Sequence, residues 1–446
     1  MQDYFATVDN KIYSLPLKIV TVFIFAVLIY TLNMYTGAPV LSLIITNTVI
    51  FILAIQNMKI LSTKGQLLIY VWLFLFKYAI LVYNAVNKNI PMANADVRGF
   101  HNWASTLTNE SEGLLDIIFS SREVFVRVIA FIYHFFGIND QQINFLIFVF
   151  ALLAYIYIYM VALELTSNKR LSQTIALLFM VWPMEIIYSI SYHREMPIQC
   201  FFIISFYHFV KYVKHKQRNN LVKAITFSIL ASILHAGMIG VFCTYIFIAV
   251  QMNRKKKVNL FNPLKIFVFI LVVFVFINSP IGGVMTRKFS SVDSVDSVVE
   301  RTSSQRIRGN TAYVTSNPGN LIQLFMHTPY RMTMFALAPF PWQVYDVATA
   351  TAFLLDSLFR LWIVYKLFKY FRRYKPKDNE QKIIKLSVFL IIMLSYFIFA
   401  WGTFTYGTAM RHRAKTFPVE IIVAYSVGKT GKIKGSVERL KVVEES

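Results

Sequence analysis

Runs of apolar residues long enough to span a lipid bilayer recur along this chain, and they leave few folds open to it. A helix needs roughly 20 apolar residues to cross a hydrocarbon core of about 30 Å. Clear runs cover 17–36, 40–57, 66–84, 142–165, 171–190, 197–213, 264–284, 346–370 and 385–402, and weaker ones cover 221–250 and 417–428. The expected fold class is therefore all-α: a polytopic transmembrane helical bundle, with one domain over 1–428 and a cytoplasmic basic tail over 429–446. Composition agrees. The 446 residues are 57% hydrophobic and only 15% charged, against about 25% charged in soluble domains. The first run begins near Leu17 without a small-residue cleavage site, which reads as a retained span. Cys200 and Cys243 both lie in apolar runs and supply neither a disulfide framework nor a metal spacing.

The net charge of +23 is assigned to cytoplasmic loops rather than to nucleic acid, because lysine and arginine in short loops set the orientation of spans. Strong basic runs are Lys211/Lys214/Lys216/Arg218, Arg254 to Lys257, Arg372/Arg373/Lys375/Lys377 and Lys429/Lys432/Lys434; weaker ones are Lys11/Lys18, Lys59/Lys64 and Lys169/Arg170. All of them fall on one side if 221–250 crosses twice. That run, "LVKAITFSILASILHAGMIGVFCTYIFIAV", is long for one span and is interrupted by "HAG". Two short helices, 221–234 and 236–250, are expected to meet near the outer face around His235. The alternative is one long tilted helix. The hairpin gives 12 crossings with both termini cytoplasmic, and two large outer loops at 85–141 and 285–345.

The outer loops carry short helix-like pieces. Residues 122–136, "REVFVRVIAFIYHFF", place Glu123, Arg127 and His134 near one helical face, which suits an interfacial helix. A second such piece over 319–338 ends where Pro339 and Pro341 stop it. The Ser- and Thr-rich stretch 290–318 is expected to form a lid.

On this topology an unusual set of charges lies outside: Asp96, Arg98 and His101; Arg122, Glu123 and Arg127; His193, Arg194 and Glu195; His235; Arg287 and Lys288; Arg301, Arg306 and Arg308; His327 and Arg331; Arg411, His412, Arg413 and Lys415. Ionisable groups at membrane depth are costly and tend to be functional. Basic groups on the side that should lack them point to an anionic ligand, and arginine's planar fork suits phosphate and diphosphate. At the outer leaflet of a bacterial-type membrane a polyprenyl diphosphate would supply it. Structural alternatives stand beside these roles. Arg194 and Glu195 form a loop ion pair, His235 is a turn residue or a satisfied bundle histidine, Arg301, Arg306 and Arg308 are solvated, and Asp96 caps the helix that begins near Arg98.

The ordered set "DVRGFHNWA" (96–104), "REVFVRVIAFIYHFFG" (122–137), "HREMPIQCFFI" (193–203), "LASILHAGMIG" (230–240), "PYRMTMFALAPFPW" (329–342) and "YGTAMRHRAKTFP" (406–418) resembles the EpsG/Wzy-type repeat-unit polymerases of bacterial surface-polysaccharide synthesis. More distantly it resembles the GT-C membrane glycosyltransferases. The resemblance implies that Asp96 is the catalytic acid, that Arg194, Arg411 and Arg413 hold a lipid diphosphate, and that His235 lines the cavity between them.

The expected activity is polymerisation of lipid-linked oligosaccharide repeat units at the outer face of the cytoplasmic membrane. Candidate catalytic residues are Asp96, Glu123, Arg194 and His235. Candidate diphosphate- and glycan-binding residues are Arg98, His101, Arg127, Arg331, Arg411 and Arg413. Asp96 activates the acceptor hydroxyl and the arginines stabilise the departing diphosphate. No cofactor and no metal are required, with a divalent ion at Asp96 as the alternative. Expected partners are the polyprenyl-diphosphate oligosaccharide, the lipid bilayer, a chain-length regulator and a flippase. Two other functions compete: a GT-C transferase that adds a single sugar, and a lipid-linked oligosaccharide flippase or transporter. The lack of an internal repeat lowers the last.

Overall fold

The computed structural model describes residues 38–88, 90, 97–252, 262–279, 282–283 and 319–426. The run 17–36, Asp96, the basic run Arg254 to Lys257, the stretch 290–318 and the tail 429–446 lie outside them. Among the described residues every regular element is a helix. Contacts divide the chain into two compact units, one of residues up to 163 plus 168–200, the other of 164–167 plus 201 onward.

The first unit contains α1 (Ala38–Ile60), α2 (Lys64–Asn87), α3 (Val97–Glu110), α4 (Leu114–Phe119), α5 (Val124–Phe136), most of α6 (Asp140–Thr166), α7 (Lys169–Val181), α8 (Pro183–Ile190) and the first turns of α9 (Glu195–His215). Local chemistry sets several starts. Thr63 accepts from the Gln66 amide at the head of α2, and Asn168 from Leu171 at the head of α7. Tyr70, Phe74 and Tyr78, four residues apart on α2, form a stacked row that meets Phe145 and Phe148 of α6. The apolar run 171–190, expected as one span, is instead two helices bent by 68°. Pro183 lacks an amide hydrogen and takes the first-turn position of α8, where that loss is free. Helices α3, α4 and α5 pack together, with Phe100 against Phe125 at 5.2 Å. Their outer faces leave Trp103, Leu115, Phe119, Phe131 and Phe135 exposed, as an interfacial helix requires.

The second unit contains the rest of α9, then α10 (Arg218–Leu234), α11 (Ile239–Gln251), α12 (Pro263–Ile277), α13 (Leu321–Leu337), α14 (Val347–Ala352), α15 (Leu358–Arg373), α16 (Asn379–Trp401), α17 (Tyr406–Ala414) and α18 (Phe417–Ser426). A π-helical turn, Phe353–Ser357, joins α14 to α15, so the apolar run 346–370 is not one regular helix. Helix α13 ends at Leu337, two residues before Pro339, as expected.

The chain reverses at His235. On α9, Phe201, Ser205 and His208 meet Phe227, Ala224 and Asn220 of α10, so the two helices run antiparallel. His235 then breaks the helix with an extended backbone. Tyr245 of α11 stacks on Phe209 at 4.2 Å, back at the level where α10 began. A continuing helix would carry Tyr245 about 15 Å past the tip. The hairpin is therefore the conformation of this run, and the single tilted helix is not. Gly237 and Gly240 make it possible: a Cβ on Gly237 would lie 2.1 Å from the Phe399 ring, and one on Gly240 3.2 Å from Leu394.

Helix α16 aligns the rest. It runs antiparallel to α15, with Arg360 opposite Tyr396 and Phe371 opposite Phe389. Helix α18 runs parallel to α15, through Phe359–Phe417 and Trp362–Tyr425. Helix α13 lies across the C-terminal end of α16. Phe325 and Phe335, ten residues apart, both meet residues between 396 and 401. Two basic runs, Lys211 to Arg218 and Arg372 to Lys377, stand at the other end. There Lys214, Tyr374 and Asp378 help line a cavity of 270 Å³.

Five described helices are long and apolar enough to cross a bilayer, or six when α7 and α8 count as one bent span. A twelve-crossing topology therefore also calls on shorter helices and on the run 17–36.

Candidate functional site

The candidate residues gather in two places, one in each unit. In the first, Arg194 precedes α9 and reaches Glu123 at the head of α5, with Nη1 to Oε2 at 2.7 Å. Its guanidinium also sits 5.6 Å from the Phe100 ring. The partner of Arg194 is thus Glu123, not the adjacent Glu195. Nearby on the same short helices, His101 Nδ1 lies 2.9 Å from the Tyr133 hydroxyl. Burial and the neighbouring Asp140 push the Tyr133 phenol well above its ordinary range. Arg127 donates to the Ile118 carbonyl and so ties α5 to α4. Arg98 is exposed on α3.

In the second unit, groups from the α10–α11 hairpin tip and from α17 gather around Phe399 near the end of α16. The His235 ring, at the tip of the α10–α11 hairpin, lies 5.3 Å from it. The His412 ring, from α17, lies 5.0 Å from it, and the Lys415 ammonium 5.6 Å. The two imidazoles are 4.8 Å apart, edge to face. Each has its Nδ1 engaged. His235 Nδ1 accepts the Gly237 amide at 3.2 Å, and His412 Nδ1 sits 2.8 Å from the Thr403 hydroxyl. Arg411 is half-buried on α17, and burial lowers its guanidinium from the ordinary value. Arg331, on the crosswise α13, is fully buried with its guanidinium 5.1 Å from the Phe404 ring. The stretch 406–418, expected to be basic and outward, thus forms α17 and the start of α18. It stands at the end of α16 opposite the two basic runs.

Arg413 points the other way. It is fully buried, pairs with Asp356 of the π-helical turn, and donates to the Phe335 and Ala338 carbonyls at 3.1 and 2.9 Å. One turn deeper, Arg360 donates to Glu420 at 2.5 Å and to the Tyr396 hydroxyl, while Thr416 donates to Glu420 at 2.6 Å. These two ion pairs fix α15, α17 and α18 and are internally neutral. A third neutral group stands in the first unit. Lys77 of α2 donates to Glu185 of α8 and to the Tyr155 hydroxyl of α6, and Tyr155 donates to the other Glu185 oxygen. Lys77, Glu185 and Tyr155 are all fully buried.

The expected site residues Glu123 and Arg194 therefore meet each other, and His235 meets His412, beside Lys415. Asp96 is outside the described residues. Sequence reasoning missed Lys77, Glu185, Asp356, Arg360 and Glu420, although each stands inside an apolar run and the cost of a charge there was the available signal. Among the described residues no group of three or more metal-ligating side chains converges.

Among the described residues, fold and site define a helical protein with long apolar helices of the kind that cross a bilayer and with charged side chains buried among those helices. No protein-family description, curated protein or solved structure matches it.

Proposed function

We propose that this protein is a membrane glycosyltransferase that polymerises lipid-linked oligosaccharide repeat units at the outer face of a bacterial cytoplasmic membrane. The donor is a polyprenyl-diphosphate oligosaccharide, and the acceptor is a second lipid-linked unit. The chain crosses twelve times in a GT-C-like arrangement with both termini cytoplasmic. One observation carries this reading: Arg331, Lys415, His235 and His412 stand among aromatic rings, with Arg411 beside His412 on α17, at the end of α16 opposite the basic runs Lys211 to Arg218 and Arg372 to Lys377. If those runs are cytoplasmic, the cluster faces outward, where a lipid diphosphate and its sugar are presented. Arg411, half-buried on α17 next to His412, is the diphosphate ligand in this reading, while Arg413 pairs with Asp356. Arg413 positions α17. Glu123 and Arg194 hold the first-unit helices in register, and Asp96 remains the acid that the sequence puts forward.

The test is transfer by purified protein in lipid nanodiscs supplied with lipid-linked repeat units. A ladder of products is expected. Arg411→Ala should raise the donor KM about 10- to 100-fold, the worth of one charge-assisted hydrogen bond. An unchanged donor KM refutes the diphosphate assignment. A single added sugar replaces the polymerase with a single-sugar transferase, and lipid movement without transfer replaces it with a flippase.

A further inference from the structure

The apolar run 171–190 is long enough to cross a bilayer as one helix, yet it folds as α7 and α8, bent by 68°. Proline permits the break. The residue before a proline is pushed out of the helical region, and Trp182, which precedes Pro183, is extended. Proline does not require the break, because membrane helices carry it wherever neighbours satisfy the freed backbone groups. What holds the bend is one face of α2. Lys77 and Asn84 stand seven residues apart, two turns along the same side. Lys77 donates to Glu185 in the first turn of α8. Asn84 Nδ2 donates to the carbonyl oxygen of Ile190, the last residue of α8, at 3.2 Å. Tyr155 of α6 completes the first tie: its hydroxyl accepts from Lys77 at 2.5 Å and donates to the other Glu185 oxygen. Both ends of α8 are thus fastened to α2, and the fastening at its head is ionic and fully buried.

A buried ion pair seldom adds stability over an apolar pair of the same volume, so its effect here lies in geometry. Swinging α8 into line with α7 moves Glu185, in its first turn, by about 5 Å and its far end by about 13 Å. Glu185 then leaves Lys77, and two charges stand without partners among apolar side chains, the costly case. We infer that Lys77, Glu185 and Tyr155 are a conformational selector: they exclude the straight span and fix where the chain leaves α8. The next residues, Ser191 to Arg194, bring Arg194 to Glu123, so the selector also sets that pair. With Lys77→Met and Glu185→Leu together, the bent and straight runs are both free of buried charge, and bilayer thickness favours the straight one. The protein then keeps its stability and loses its choice of conformation. The selection belongs to the fold and holds whatever reaction the protein performs.

The experiment measures the distance between nitroxide labels on cysteines at positions 170 and 194 by double electron–electron resonance in lipid nanodiscs. Cys200 and Cys243 are replaced beforehand. The second label takes the place of Arg194 in every protein compared, so the buried triad is the one difference. Straightening helices of 13 and 8 residues from a 68° bend lengthens the run by about 5 Å. The chain with the native triad should give a single short distance. Lys77→Met with Glu185→Leu should add a population longer by that amount or convert the short one into it. The exchanged pair, Lys77→Glu with Glu185→Lys, keeps an ion pair and a carboxylate for Tyr155, and should give the short distance alone. The short distance alone in the apolar double variant overturns the selector. A longer distance in the exchanged variant overturns it as well. If the apolar variant does not fold, the exchanged variant decides: the short distance upholds the selector, and a longer distance or loss of the folded protein refutes it.

Discussion

Lys77→Met isolates the strongest energetic claim in the first unit. Lys77 has no solvent-exposed side-chain surface, and neither has Glu185. The Lys77 ammonium bonds both Glu185 and the Tyr155 hydroxyl, the latter at 2.5 Å. Methionine keeps the apolar stem and removes the charge. Glu185 then keeps Tyr155 as a donor but loses its counter-charge. Breaking one side of a buried pair costs about 3–5 kcal/mol, whereas replacing both sides by apolar groups is often neutral or stabilising. Lys77→Met and Glu185→Leu should each therefore destabilise by about 3 kcal/mol or more, and the double variant should return to within about 1 kcal/mol of wild type, less the hydrogen bond that Tyr155 forfeits. The assay is unfolding of purified protein in detergent, read as the inactivation rate at fixed temperature because membrane-protein unfolding is seldom reversible. Where unfolding carries the whole effect, 3 kcal/mol is about a 100-fold faster rate. Single variants as durable as wild type, or a double variant worse than either, would refute the reasoning.

Gly237→Ala places a methyl group inside the Phe399 ring, so it should cost about 1–3 kcal/mol; Phe399→Leu in the same chain should recover part of that loss, measured as the same inactivation rate. Arg413→Met leaves Asp356 buried without its counter-charge and should cost about 3–5 kcal/mol, while Arg413→Met with Asp356→Leu should restore stability without restoring any Arg411-dependent donor binding. Single cysteines at positions 407 and 378, both exposed, in a chain whose Cys200 and Cys243 have been replaced, should react with an impermeant thiol reagent from opposite faces of the membrane; labelling from the same face would refute the outward placement of α17. Burial, with Tyr345 and Tyr330 nearby, raises the Tyr406 phenol from its ordinary value to about 12. The unfolded chain therefore releases this proton first, stability falls as pH rises across that window, and Tyr406→Phe should flatten the fall in an alkaline unfolding series.

The sequence made the helices legible because apolar run length and bilayer thickness constrain each other. It made the reversal at His235 legible because charge sidedness demanded an even number of crossings. The 68° break at Pro183 was also visible in principle, since a proline inside an apolar run removes an amide hydrogen, but run length alone hid it. Ion partners were not legible. Arg194 has Glu195 beside it in the chain, yet it pairs with Glu123, 71 residues away. Arg411 and Arg413 are two positions apart and look equivalent in the sequence. On a helix that spacing turns side chains to different faces, and only the packing of α13 and the π-helical turn decides which face is buried.

The π-helical turn Phe353–Ser357 gives the chain one residue of slack. Such turns accommodate an added residue within an otherwise α-helical rod. Here it sits on the N-terminal side of Arg360 and holds Asp356 against Arg413. Losing one residue from the stretch before Asp356 would let the rod close into continuous α-helix while both arginine anchors stay seated. The same loss inside α15 would rotate Arg360 away from Glu420. Length variation in this protein should accordingly be tolerated on one side of Asp356 and lethal to the fold on the other.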